Sequence, residues 1–166
     1  RHQLERLVGH DTLTGLPLMR LANDRLEVAL KHARRTGHRV ALLFVDLDGF
    51  KAVNDAQGHA AGDHVLQTVA QRVRRCVRDE DTVARVGGDE FIVVIGGLTD
   101  PAAAAHLARS INAAVAQPID CGTRHRRQAG SVGEQARLHS SIPEHRDVIG
   151  GRGGGADSRT RTRTRG

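Results

Sequence analysis

A chain of 166 residues with 39% apolar and 27% charged residues has room for one ordinary domain and excludes a fibrous or wholly disordered class. Two Cys give no disulfide framework, three Phe with no Trp or Tyr leave Leu, Val, Ile and Ala to fill the core, and no apolar run reaches the roughly 20 residues that span a bilayer. The net charge of +6 is no nucleic-acid footprint, because residues 1–120 carry 15 Lys/Arg against 15 Asp/Glu while residues 121–166 carry 10 Arg against 4 Asp/Glu.

Leu4, Leu7 and Val8 share a helical stripe that stops at Gly9, so residues 1–10 are expected to end an incoming linker helix. Because the chain opens on Arg1 rather than Met, it is expected to be part of a longer protein. Asp11-Thr12-Leu13-Thr14-Gly15-Leu16-Pro17 reads as a turn rich in capping residues, feeding a helix over about 17–36 that stops at Gly37. Val40 to Val45 is an unbroken apolar run, which predicts a strand buried on both faces and ending in acid at Asp46 and Asp48. A short helix around 50–56 follows, and Asp63 or a neighbour is expected to cap a helix over 63–77. Thr82 to Val86 and Phe91 to Ile95 read as strands joined by a tight Gly87-Gly88 turn. Pro101 opens an Ala-rich helix to about 116. After Ile119 neither period persists, and residues 120–166 are expected to be disordered. The pattern defines an α/β (α+β) domain with an antiparallel hairpin.

Two places put carboxylates where a cation would need them. Asp46 stands at the end of the buried strand and Asp89 just after Gly87-Gly88; if the hairpin pairs beside the 40–46 strand, the two meet at one edge. Mg²⁺ takes one or two carboxylates together with substrate phosphates, and glycines without Cβ let a nucleotide approach the backbone. The same residues also suit plainer roles: Asp-x-Asp after a strand serves as a solvated loop or helix cap, and Gly-Gly-Asp is good hairpin chemistry. The calcium-loop pattern fails after Asp46-Leu47-Asp48-Gly49, no nucleophile elbow is present, and the ten His lack metal spacing.

Together these segments resemble the GGDEF family of diguanylate cyclases. The resemblance is carried by Gly87-Gly88-Asp89-Glu90-Phe91, by Asp11 to Pro17, by Phe44 to Lys51 with Asn54-Asp55, and by Gly58-His59 with Gly62-Asp63. It implies a palm-like α/β fold related to adenylyl cyclases and polymerases, occupying residues 11–119. It also implies condensation of two GTP into cyclic di-GMP and pyrophosphate by a homodimer, with Mg²⁺ as cofactor and Mn²⁺ as the alternative cation. In that reading Asp46, Asp89 and the Leu47 carbonyl hold the metal, and Glu90 attends the reacting 3′-hydroxyl. Asn54 and Asp63 read guanine, Lys51 faces phosphate, and Gly87 and Gly88 lie against the nucleotide. Arg78-Asp79-Glu80-Asp81 matches the family's R-x-x-D product-inhibition site at Arg78 and Asp81, beside the alternative of a charged helix end and turn. No nucleic acid is expected as partner of the domain. The expected location is cytoplasmic, with the parent protein free to carry a membrane anchor.

Two departures stand against the family pattern. Leu18-Met19 replace the usual Asn-Arg, with Arg20 as the nearest compensation. Beyond the 101–116 helix, neither the family's Ser-Ile-Gly strand nor its Lys-bearing helix is found; Ser131-Val132-Gly133 is a candidate remnant of that strand, against which its polar flanks stand. A frameshift near 119–125 would account for the Arg- and Gly-rich tail, and a natural tail is the alternative. On this reading the chain is expected to fold poorly or act weakly, and a cyclic di-GMP receptor or an inactive fragment are the alternative functions.

Overall fold

The computed structural model describes residues 9–121 and 136–141. In chain order these form α1 (Met19–Thr36), β1 (Arg39–Leu47), α2 (Phe50–Gln57), α3 (His59–Cys76), β2 (Thr82–Arg85), β3 (Glu90–Leu98), α4 (Pro101–Val115) and β4 (Ala136–Ser141). The sheet is antiparallel with strand order β2-β3-β1-β4. The expected terminal helix tail of residues 1–8 lies outside the described residues, as does Ser131-Val132-Gly133.

Alternation along β1 and β3 decides which helix covers which face. Leu43, Val45 and Leu47 share one face with Phe91, Val93 and Ile95, packing with Val65, Val69 and Val73 of α3 and with Ile111 and Val115 of α4. Each fully buried side chain of that size contributes about 1.5–3 kcal/mol. The opposite face carries α1, with Ala22 against Ala84 and Ile92, and Ala33 with Val40 and Val94. Burial on both faces therefore holds only for the first half of β1. Phe44 is 42% exposed: on this face α1 packs with Val40 and Leu42 of β1 and, toward the acidic end, with Ile92 of β3 and Ala84 of β2, and Phe44 belongs to neither cluster.

Local chemistry sets the connections. Gly49, at φ 77°, turns the chain sharply out of β1 into α2, a conformation that L side chains rarely adopt. Asp100 caps α4 by accepting from the Ala102 N–H at 2.9 Å, with Pro101 beginning the helix. Arg72 of α3 closes the far end of α4, its guanidinium donating to the carbonyls of Ala114 and Pro118.

Three expectations are corrected. The helix predicted from 63 begins at His59 behind Gly58, and Asp63 is an exposed side chain inside it rather than its cap; His59, Ala60 and Ala61 can extend the helix backward without a capping side chain. The capping residues of the Asp11–Pro17 turn close that turn on itself, while α1 starts at Met19 behind Leu18, which provides no side-chain cap. Finally, β4 lies in the stretch expected to hold no element and pairs antiparallel with β1, from Leu42↔Ser141 to Leu47↔Ala136. An outer strand is held by backbone hydrogen bonds to an edge that β1 would otherwise leave open, so it needs no apolar alternation of its own.

Candidate active site

The antiparallel register of β1 and β3 brings the acidic strand end to the turn. Asp46 is the cross-strand partner of Glu90, and the Leu47 N–H donates to the Asp89 carbonyl at 3.3 Å. The turn between β2 and β3 closes through the Val86 N–H to the Glu90 carbonyl at 2.9 Å. Asp46 and Glu90 are exposed and Asp89 is half-buried. Of the two carboxylates predicted to meet at one edge, Asp46 thus stands on β1 and Asp89 in the turn directly before β3, at the same end of the sheet. On its other side Asp46 is in register with Arg137 of β4.

The two turn glycines differ. A Cβ on Gly87 would stand 2.5 Å from Glu90 Oε2 and 3.2 Å from the Glu90 Cβ, so the space at Gly87 is already taken by Glu90. Gly88 faces open space, with nothing within 4 Å of the same position. The backbone approach expected at both glycines is therefore available at Gly88 and filled at Gly87.

Arg85, not singled out by the sequence, holds this turn from behind. Its Nε and Nη2 donate to the Gly88 carbonyl at 3.2 and 2.7 Å, and its Nη1 pairs with Asp11 Oδ2 at 3.0 Å. Both side chains are largely buried, at 15% and 16% exposure. The same Asp11 oxygen accepts from the Thr14 N–H at 2.9 Å and from Thr14 Oγ1 at 2.6 Å. Burial works against the Asp11 charge, yet the bonds from Thr14 and Arg85 outweigh it and hold the carboxyl below the usual carboxylate range. No local pattern joins two residues 74 apart; the one available hint was an arginine two positions before a Gly-Gly turn.

The helices after β1 carry the remaining predicted residues. Lys51 is exposed in the first turn of α2, Asn54 is half-buried one turn later, and Asp63 is exposed near the start of α3. Asn54 packs on Gly62, the buried residue before Asp63: a Cβ there would lie 1.9 Å from Asn54 Oδ1. Arg78 and Asp81 face each other across one turn, the Arg78 N–H donating to Asp81 Oδ2 at 3.1 Å. The Arg78 guanidinium is exposed beside Glu80, whereas Asp81 is 5% exposed. Burial, with the Glu80 charge adding and the Arg78 N–H opposing, pushes the Asp81 carboxyl up. Of the two side chains expected on one ligand, Arg78 turns outward and Asp81 inward.

The donor set suits a hard divalent cation. Like charges placed directly opposite on neighbouring strands repel, and Asp46, Asp89, Glu90 and the Leu47 carbonyl offer oxygen donors at this end of the sheet. Among the described residues no three His, Cys, Asp or Glu side chains form a closed metal cluster. A cation here would therefore complete its shell from the Leu47 carbonyl, water or phosphate, as Mg²⁺ commonly does.

The sequence profile described as "Diguanylate cyclase, GGDEF domain" matches residues 8–145, past the 119 boundary, and the chain belongs to the GGDEF family. MucR of Pseudomonas aeruginosa, named a bifunctional diguanylate cyclase/cyclic di-GMP phosphodiesterase, is 48% identical over 131 residues, covering 79% of this chain and 19% of MucR. The diguanylate cyclase TpbB of that species is 46% identical over 110 residues, 66% of this chain and 25% of TpbB. The chain thus spans a quarter or less of these curated relatives. A structure of TpbB comprising only the GGDEF domain matches with a TM-score of 0.65 at 45% identity, covering 66% of this chain and 64% of that one. The coiled coil and GGDEF domain of DgcB from Caulobacter crescentus, in complex with c-di-GMP, matches at 0.66 and 26% identity, covering 84% and 70%. No helix among the described residues is long and apolar enough to cross a membrane.

Proposed function

We propose that this domain condenses two molecules of GTP into cyclic di-GMP with release of two pyrophosphates. The observation that carries the reading is the register of β1 on β3, which sets Asp46 and Leu47 beside Asp89 and Glu90 at an open sheet end. Mg²⁺, or Mn²⁺ in its place, would be held by Asp46, Asp89 and the Leu47 carbonyl, and when bound it neutralises phosphate charge.

The chain's own residues bind and orient. Asp63 accepts from the ring and exocyclic N–H groups of guanine, and the Asn54 amide both donates and accepts. Lys51 faces phosphate. Gly88 offers the open backbone against which the nucleotide lies, while Glu90, lying over Gly87, stands ready for the 3′-hydroxyl as proton acceptor or as an additional ligand. Each protomer of a homodimer presents one GTP. The 3′-oxygen of one attacks the α-phosphorus of the other, the α–β phosphoanhydride bond breaks, and pyrophosphate leaves; the reciprocal step closes the ring.

Arg78 and Asp81 are proposed as a product site, with Arg78 supplying a bidentate donor to phosphate or guanine. The inward Asp81 carboxyl would have to turn outward to join it. The proposed location is the cytoplasm, where GTP is held.

Incubation with GTP and Mg²⁺, with chromatographic identification of the nucleotide product, tests this reading. Cyclic di-GMP and pyrophosphate should accumulate, and Arg78→Ala should relieve product inhibition without removing turnover. Binding of cyclic di-GMP with no GTP consumption would replace the enzyme by a receptor.

A further inference from the structure

The geometry points to Gly62 as the positioning residue for guanine selectivity, through the room it leaves for the Asn54 amide; this rests on the proposed roles of Asn54 and Asp63. Gly62 lies in the first turns of α3, where alanine is the better helix former and glycine the poorer one. Its φ is not left-handed, so the backbone itself does not call for glycine. The reason lies across the seam. A Cβ at position 62 would stand 1.9 Å from Asn54 Oδ1, 2.9 Å from its Cγ and 3.3 Å from its Nδ2, so the whole amide would have to move.

Among the described residues no side-chain hydrogen bond fixes that amide; Gly62 and the α2–α3 seam do so by packing. The helices are tied there by the backbone as well, the Gly58 N–H donating to the Asn54 carbonyl at 2.8 Å and the Gly62 N–H to the Gly58 carbonyl at 3.3 Å. Asp63 follows Gly62 directly. One missing methyl group thereby leaves the Asn54 amide the place it occupies, next to the residue that precedes Asp63. A purine is distinguished by such a pair only when donors and acceptors sit at fixed positions, since a displaced amide leaves buried polar groups unpaired.

The test is calorimetric binding of GTP and of ATP to the whole chain and its Gly62→Ala, Asn54→Ala and doubly substituted variants, with a thermal melt of each. Gly62→Ala should weaken GTP binding about tenfold while leaving ATP unchanged, and the double variant should bind GTP no more weakly than Asn54→Ala alone. In the melts, alanine at 62 should lower the midpoint when Asn54 is present and raise it when Asn54 is truncated. GTP binding unchanged by Gly62→Ala, or losses that simply add in the double variant, would overturn the inference. A parent chain that does not prefer GTP to ATP refutes the guanine reading instead, and the melts then still decide whether Gly62 houses Asn54.

Discussion

Arg85 reaches from the end of β2 to Asp11 in the N-terminal turn at 3.0 Å while two of its nitrogens grip the Gly88 carbonyl. The turn that carries Asp89 is thus fastened to a segment 74 residues earlier in the chain. Removing the guanidinium strands a largely buried carboxylate and frees a carbonyl that Arg85 held. Arg85→Ala should cost about 2–4 kcal/mol in denaturant unfolding. Arg85→Lys should recover only part, because one ammonium cannot reproduce the fork. Equal stability of all three proteins would contradict this role.

Two buried carboxyls make stability depend on pH with opposite signs. Asp11 has its folded value lowered, so its contribution is complete above the ordinary carboxylate pKa and is lost as pH falls through the lowered value. Asp81 has its folded value raised, so the fold prefers it protonated. Its contribution is greatest below the ordinary value and declines as pH rises through the raised one. Asp81→Asn keeps the acceptor for the Arg78 N–H and removes the charge. Denaturant midpoints followed from acid to neutral pH should lose that decline in Asp81→Asn and keep the acid-side loss.

The turn glycines should separate under substitution. Gly87→Ala must push Glu90 aside, so it should reduce kcat more than it raises KM for GTP. Gly88→Ala meets no protein atom and should leave stability within about 0.5 kcal/mol, with its effect confined to KM. Steady-state kinetics on the two variants checks the division, and identical effects would refute it.

A chain ending at Cys121 lacks β4 and uncovers the edge of β1. It should melt lower and associate as concentration rises, because an open strand edge templates pairing with another chain. Light scattering and thermal melts against the full chain test this; unchanged behaviour would mean that β4 contributes nothing to the sheet.

Much of this architecture was legible because its signals are local. The apolar run before Asp46, the Gly-Gly turn and the Asp100-Pro101 helix start each state their own structure, and Asp46 and Asp89 could be paired once a hairpin was placed beside the strand. What stayed hidden depends on distant partners. Asp11 reads as a capping residue until Arg85 is beside it, and Gly62 shows no reason for being glycine until Asn54 fills its place. The exposure of Phe44 follows from which sheet residues α1 packs on, and β4 follows from an edge that β1 offers to a polar segment. Neither is written in the periodicity of the segment concerned.

The central claim is that Asp46 and Asp89, joined by the register of β1 on β3, act as one cation-binding unit in GTP condensation. Initial rates of pyrophosphate release from GTP, titrated with Mg²⁺, should be measured for the parent chain, Asp46→Asn, Asp89→Asn and the double variant. The account predicts that each single variant loses about a hundredfold or more while remaining folded, and that the double variant loses little beyond either. A single variant that keeps a rate within about twofold of the parent at the same Mg²⁺ would contradict it.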